Sequence, residues 1–174
     1  MKKYQFLLLD AGPIIKLFEL ALWDTFIEKC AVTISRTVAD EVKWASGELE
    51  DVRIDLASYE ENGQIQIVDL DASVVKAFYD QFNRVLKAEI HSGEKGTLAF
   101  LCNSFEDWLL CSGDAAVFRV LGLLGKGEQG ISLEEVMQKI GLSKGHLAWE
   151  YTKRFRERYT NMGQADSIQG KGLL

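Results

Sequence analysis

The sequence predicts an α/β fold in which helices cover both faces of a parallel sheet. Three observations carry that prediction. Apolar runs of strand length recur at 6–9, 31–35, 64–70 and 108–114. Between them lie longer stretches with helical spacing of apolar residues, so strand and helix alternate as in successive βαβ units. The first run, Phe6 to Leu9, is apolar throughout instead of alternating, which is the pattern of a strand buried on both faces.

The opening stretch, YQFLLLDAGPIIKLFEL (4–20), is the anchor. Its strand ends on Asp10, and Ala11-Gly12-Pro13 turns the chain into a helix read over 13–29, with Ile14, Leu17, Phe18, Ala21 and Leu22 at helical spacing. Pro13 suits the start of a helix, where a missing N–H leaves no hydrogen bond unmade. AVTIS (31–35) is a second strand, and Thr37 reads as the cap of a helix beginning at Val38. Residues 47–63 read as a charged helix ending at Asn62-Gly63, and QIQIVDL (64–70) as the third strand. A single long amphipathic helix is expected over 72–90. His91-Ser92-Gly93 then opens a helix from Glu94. WLLCSGD (108–114) is the fourth strand and leads into a helix from Ala115 to Leu124. Further on, SLEEVMQKIGLSKGHLAWEYTKRF (132–155) has the order helix, Gly-Leu-Ser turn, helix. The polar, Gly-rich end, 161–174, has no periodicity and reads as a loose tail.

At 174 residues and 47% hydrophobic the chain has enough apolar surface for one well-packed domain. Cys30, Cys102 and Cys111 all lie in apolar runs, with no disulfide framework and no zinc spacing, so buried reduced thiols are expected. The apolar run after the basic start is shorter than the roughly seven residues of a signal peptide's core. No apolar stretch approaches the roughly 18 residues of a membrane span. A cytoplasmic protein without membrane association is expected. The net charge of −6 excludes a protein that coats nucleic acid with its own positive charge. It leaves room for an enzyme that meets phosphates through bound cations.

Four carboxylates stand out. Asp10 and Asp114 each follow a buried strand, where open α/β sheets place their ligands. Glu94 shares a helix face with Thr97, Leu98, Leu101 and Phe105, an expensive place for an unpaired charge. Glu41 flanks the apolar face of Val38, Val42 and Ala45, whereas Asp40 points the other way. Each acid also has a plainer reading: Asp10 as a corner cap, Asp114 as an N-cap, Glu94 as a wet first-turn acid favoured by the helix dipole, and Glu41 as a half-exposed helix residue. Brought together without Lys or Arg, the four would repel one another and call for hard divalent cations. Oxygen-only ligation favours Mg²⁺ or Mn²⁺, and only His91 and His146 offer nitrogen to a softer metal.

In this order and context, LLLDAGPIIKL, VADEV, SGEKGTLAFL and CSGDAAVFRVLG resemble the four acidic motifs of the PIN-domain family, with Ser112 where that family often has Thr. The resemblance covers about residues 4–125 and continues faintly through 123–143. It implies a three-layer α/β/α sandwich around a central parallel sheet of four to five strands. One PIN-like domain would span 1–160, with 131–160 as a C-terminal helical extension. It implies a metal-dependent ribonuclease, of the kind that includes toxins of toxin–antitoxin pairs. Asp10, Glu41, Glu94 and Asp114 would be the catalytic metal ligands, Mg²⁺ or Mn²⁺ the cofactor, and Ser112 and Lys95 groups near the phosphate. RNA would be the substrate, with a small antitoxin protein and a second copy of the chain as further partners. The single Asp of the fourth motif, flanked by Gly113 and Ala115, departs from members with a second acidic or polar residue there. Lys95 directly after Glu94 is a second departure.

Two other readings stay open: a catalytically silent PIN-like binding or assembly module, and a helix-turn-helix DNA-binding regulator at 132–155. GEKGT (93–97) has the wrong order for a P-loop, and LGLLGKGEQG (121–130) follows no strand, so neither is a nucleotide fingerprint. A haloacid-type phosphatase needs a second Asp where this chain has Gly12. Trp23, Trp44, Trp108 and Trp149 read as core or partner contacts. Arg36, Arg84 and Arg119 are candidates for steering RNA.

Overall fold

A computed structural model describes residues 4–142 and 145–174. Strand β1 (Tyr4–Leu9) is followed by α1 (Ala11–Glu19), α2 (Trp23–Lys29), β2 (Cys30–Ser35) and α3 (Arg36–Glu41). A small antiparallel hairpin, β3 (Trp44–Ala45) with β4 (Val52–Arg53), precedes α4 (Leu56–Glu61) and β5 (Gln66–Val68). Then come α5 (Ala72–Asp80), α6 (Arg84–Glu89), α7 (Ser92–Asn103), β6 (Leu109–Cys111), α8 (Ala115–Leu123), β7 (Gly130–Ile131), α9 (Leu133–Lys139) and α10 (Lys153–Ile168).

The main sheet has the order β5-β2-β1-β6-β7, with every pair parallel. Side chains alternate along β1, so Leu7 and Leu9 join one core and Leu8 joins the other. The first core holds Ile14, Leu17, Trp23, Phe26 and Val136 from α1, α2 and α9. The second holds Phe78, Leu98, Phe118 and Phe155 from α5, α7, α8 and α10. Helices therefore cover both faces, and the architecture is the expected α/β/α sandwich with five strands. Strand order reverses at the centre. The chain leaves β1 toward β2 and β5, then returns to the other side for β6 and β7. The crevice at the carboxyl ends of β1 and β6 is the switch point at which such sheets bind ligands.

Several elements differ from the sequence reading. The helix expected over 13–29 is two helices, because Ala21 takes a left-handed φ of 53° and ends α1. The helix expected over 72–90 is also two. The buried Phe82 interrupts it, and Asn83 caps α6 by accepting from the Leu86 amide at 3.0 Å. Only the end of 47–63 is helical, with the β3–β4 hairpin and the Asp55 cap before it. The cap of α3 is Ser35, whose hydroxyl accepts from the Val38 amide at 3.3 Å, and not Thr37.

The region read as helix-turn-helix is not one. Among the described residues α9 ends at Lys139 and the next α-helix starts at Lys153, whereas the motif needs a turn of three or four residues. Ser143 and Lys144 of that stretch lie outside the described residues. Its basic run is partly occupied internally. The Arg156 guanidinium donates to both Glu135 carboxylate oxygens at 2.8 and 2.9 Å, and Lys153 lies 3.7 Å from Glu157.

The loose tail is also corrected. Residues 161–168 complete α10, which packs along α8 so closely that a Cβ at Gly163 would lie 1.9 Å from the Arg119 carbonyl oxygen. A Cβ at Gly122 would lie 2.1 Å from the Thr160 carbonyl oxygen. Beyond the helix, the Leu174 amide donates to the Gln81 carbonyl at 2.9 Å, and Leu173 bridges to Phe82. Among the described residues no helix is long and apolar enough to cross a membrane.

Candidate metal centre

Asp10 directly follows β1, and Ser112 directly follows β6. The register pairs Leu9 with Cys111, and the Asp10 amide donates to the Cys111 carbonyl at 3.0 Å. This pairing sets the two strand ends side by side. The Ser112 hydroxyl donates to Asp10 Oδ2 at 2.7 Å and itself accepts from the Asp114 amide at 3.0 Å. Ser112, fully buried, thus ties the two aspartates into one unit. Asp10 Oδ1 also accepts from the Ala11 amide at 2.9 Å, and Asp114 Oδ1 from the Ala116 amide. Both aspartates therefore cap the helices that follow them, in keeping with the plainer reading, and each also faces the pocket.

The other two acids arrive on helices. Glu94 lies in the first turn of α7, only 8% exposed, with Oε2 accepting from the His91 amide at 2.8 Å. Thr97, Leu98 and Leu101 share its buried face as expected, but Phe105 lies past the end of α7 and is fully exposed. Glu41, at the end of α3, is exposed, and its Oε1 accepts from the Ser92 hydroxyl at 2.9 Å. Gly93 permits that approach, since a Cβ there would lie 2.6 Å from Glu41 Oε2.

All four carboxylates line one pocket of about 310 Å³, with His91 and Tyr151. Among the described residues, no Lys or Arg lines it. Burial raises the Asp10 carboxyl above the usual range. The Ser112 and Ala11 hydrogen bonds oppose that rise, and Asp114 and Glu41 add to it by charge repulsion. Burial likewise pushes Glu94 up to about 7 against the His91 hydrogen bond, with Asp114 and Asp10 pushing in the same direction. The pocket therefore holds more negative charge than its own donors neutralise. Perturbed carboxyls gathered in one cleft mark it as a candidate functional site. The ligand atoms of His91, Glu94 and Asp114 all lie within 4.8 Å of one another.

Lys95 is not part of the pocket: its ammonium sits 4.0 Å from the centre of the Tyr79 ring. Arg36 faces Glu60 and Asp69, and Arg119 pairs with Asp166 and Glu89, so two of the three candidate RNA-steering arginines have acidic partners in the fold. Trp23 and Trp108 are core residues, while Trp44 and Trp149 are exposed.

Sequence reasoning left the two other polar side chains of the pocket, His91 and Tyr151, out of the site. His91 lies three residues before Glu94, a local spacing that could have marked it. Tyr151 comes from the C-terminal extension, where its ring covers the Gly113 backbone and a Cβ on Gly113 would meet it at 2.7 Å. No local signal connects Tyr151 to Asp10. The chain matches no family model and no curated protein sequence.

Proposed function

We propose that this protein is a divalent-metal-dependent endoribonuclease that hydrolyses RNA phosphodiester bonds at the Asp10–Glu41–Glu94–Asp114 pocket. The observation that carries the proposal is the convergence of four carboxylates, from two adjacent strand ends and two helices, on a pocket that no Lys or Arg lines among the described residues. The donor set fits a hard cation: it is rich in oxygen, partly buried and short of counter-charge. RNA as the polymer, and a place among toxins of toxin–antitoxin pairs with a small antitoxin as partner, follow from the motif resemblance.

Asp10, Glu94 and Asp114 would hold the metal, with Glu41 at the solvent-facing rim. A bound Mg²⁺ or Mn²⁺ supplies Lewis-acid polarisation of a phosphate oxygen and a lowered pKa for an attacking water. The chain's own residues do the rest. Ser112 holds Asp10 and Asp114 in fixed relation, and the His91 amide orients Glu94. The Tyr151 ring walls one side of the pocket. Burial and nearby acids raise its hydroxyl to about 12.

The test is cleavage of single-stranded and structured RNAs in Mn²⁺, Mg²⁺ or EDTA, wild type beside Glu94→Gln and Asp10→Asn. Metal-dependent cleavage lost in both variants is expected. Cleavage that survives either substitution sinks this site. The acidic partners of Arg36, Arg119 and Arg156 favour a second reading, a PIN-like binding or assembly module. Metal binding without cleavage of any RNA would select it.

A further inference from the structure

We infer that His91 is a nitrogen ligand of the metal, and that it makes the site selective for first-row transition ions such as Mn²⁺ over Mg²⁺. This rests on the metal-dependent reading above. A site of carboxylates alone suits Mg²⁺, which prefers oxygen and retains much of its water. An imidazole shifts preference along the first transition series.

The geometry places the nitrogen among the oxygens. His91 precedes the first turn of α7, and its backbone amide donates to Glu94 Oε2 at 2.8 Å. Its ring folds back the same way, so that Nδ1 lies 3.4 Å from Glu94 Oε1. With metal–ligand bonds of roughly 2.1 Å, adjacent ligands of an octahedral ion lie about 3.0 Å apart and opposite ones about 4.2 Å. The His91–Glu94 separation falls between these values. Asp114 completes a set whose ligand atoms lie within 4.8 Å of one another. The His91 side chain is 76% exposed, which leaves the ion an entry path from solvent. The alternative is a purely local contact across a helix start, and it predicts no effect of the ring on metal choice.

The experiment uses the full chain stripped of metal, as wild type, His91→Ala and His91→Asn. The Asn variant keeps a good helix-capping residue, and circular dichroism in EDTA checks that each variant folds. Mn²⁺ and Mg²⁺ are titrated separately by calorimetry, and the Mn²⁺ complexes are probed by electron spin echo for ¹⁴N modulation. Wild type should show that modulation and bind Mn²⁺ at least about tenfold more tightly than Mg²⁺. Both variants should lose the modulation and about tenfold in Mn²⁺ affinity, with Mg²⁺ affinity unchanged within about twofold. Wild-type Mn²⁺ binding without nitrogen modulation overturns the role of His91 and leaves the oxygen site standing. Variants that keep wild-type selectivity overturn that role equally. Failure of wild type to bind either ion overturns both this inference and the nuclease reading.

Discussion

At Glu94, burial and two neighbouring carboxylates act in the same direction, each disfavouring the charged form. Its pKa of about 7 lies above the ordinary 4.5. Between those values the folded protein keeps a proton that the unfolded chain has released, so stability falls as pH rises through that window. Asp10, also raised, has the same sign. In EDTA the melting temperature should therefore be higher near about pH 5.5 than near about pH 7.5. Glu94→Gln removes the buried charge and should raise metal-free stability near about pH 7.5 by roughly 2 kcal/mol, or about 4–8 °C in Tm, while flattening the pH slope. A variant less stable than wild type in EDTA would mean that Glu94 is already well paired. Ser112 carries the opposite risk. Ser112→Ala takes from the buried Asp10 its hydroxyl donor and should cost about 1–3 kcal/mol by denaturant melt. It should also weaken Mn²⁺ binding, because the two aspartates lose their common tie.

Among the elements, the pairing of α8 and α10 shows how a polar, Gly-rich sequence can still be ordered. Their backbones meet at Gly122, Thr160 and Gly163, and Arg119 crosses to Asp166 at 2.6 Å. Small residues at a crossing leave no apolar stripe in the sequence. Gly163→Ala separates the two readings by sign. In a loose tail Ala would be neutral, and in an isolated helix it would help by about 1 kcal/mol. In this packing it should destabilise by about 3 kcal/mol, since the methyl meets the α8 backbone at Arg119 and Leu123. Chemical denaturation measures the difference directly. The same extension supplies Tyr151 to the pocket, so the C-terminal elements matter to the site as well as to the core.

For the molecule as a unit, a metal that binds the folded state alone must stabilise it. Mn²⁺ at about a hundred times its dissociation constant should add about 2.7 kcal/mol. The rise in Tm should be larger at about pH 7.5 than at about pH 5.5, since below the raised pKa values protons compete for the same oxygens. Asp10→Asn should abolish most of it. Equal shifts in wild type and Asp10→Asn would place the ion elsewhere.

The α/β class, the parallel sheet and the positions of Asp10 and Asp114 at strand ends were legible in the sequence alone. Apolar runs, helical spacing and turn residues are local signals, and local signals survive in a one-dimensional reading. The interruptions at Ala21 and Phe82 escaped because helical spacing continues through them, while a left-handed residue ends α1 and the Asn83 side chain caps the start of a new helix. Three outcomes needed the folded chain: His91 and Tyr151 line the pocket with the four acids, Lys95 turns away to Tyr79, and the last helix is packed. They depend on which strands become neighbours and on how closely two backbones approach. Such contacts join residues far apart in the chain, and their energy leaves no periodic mark on either segment.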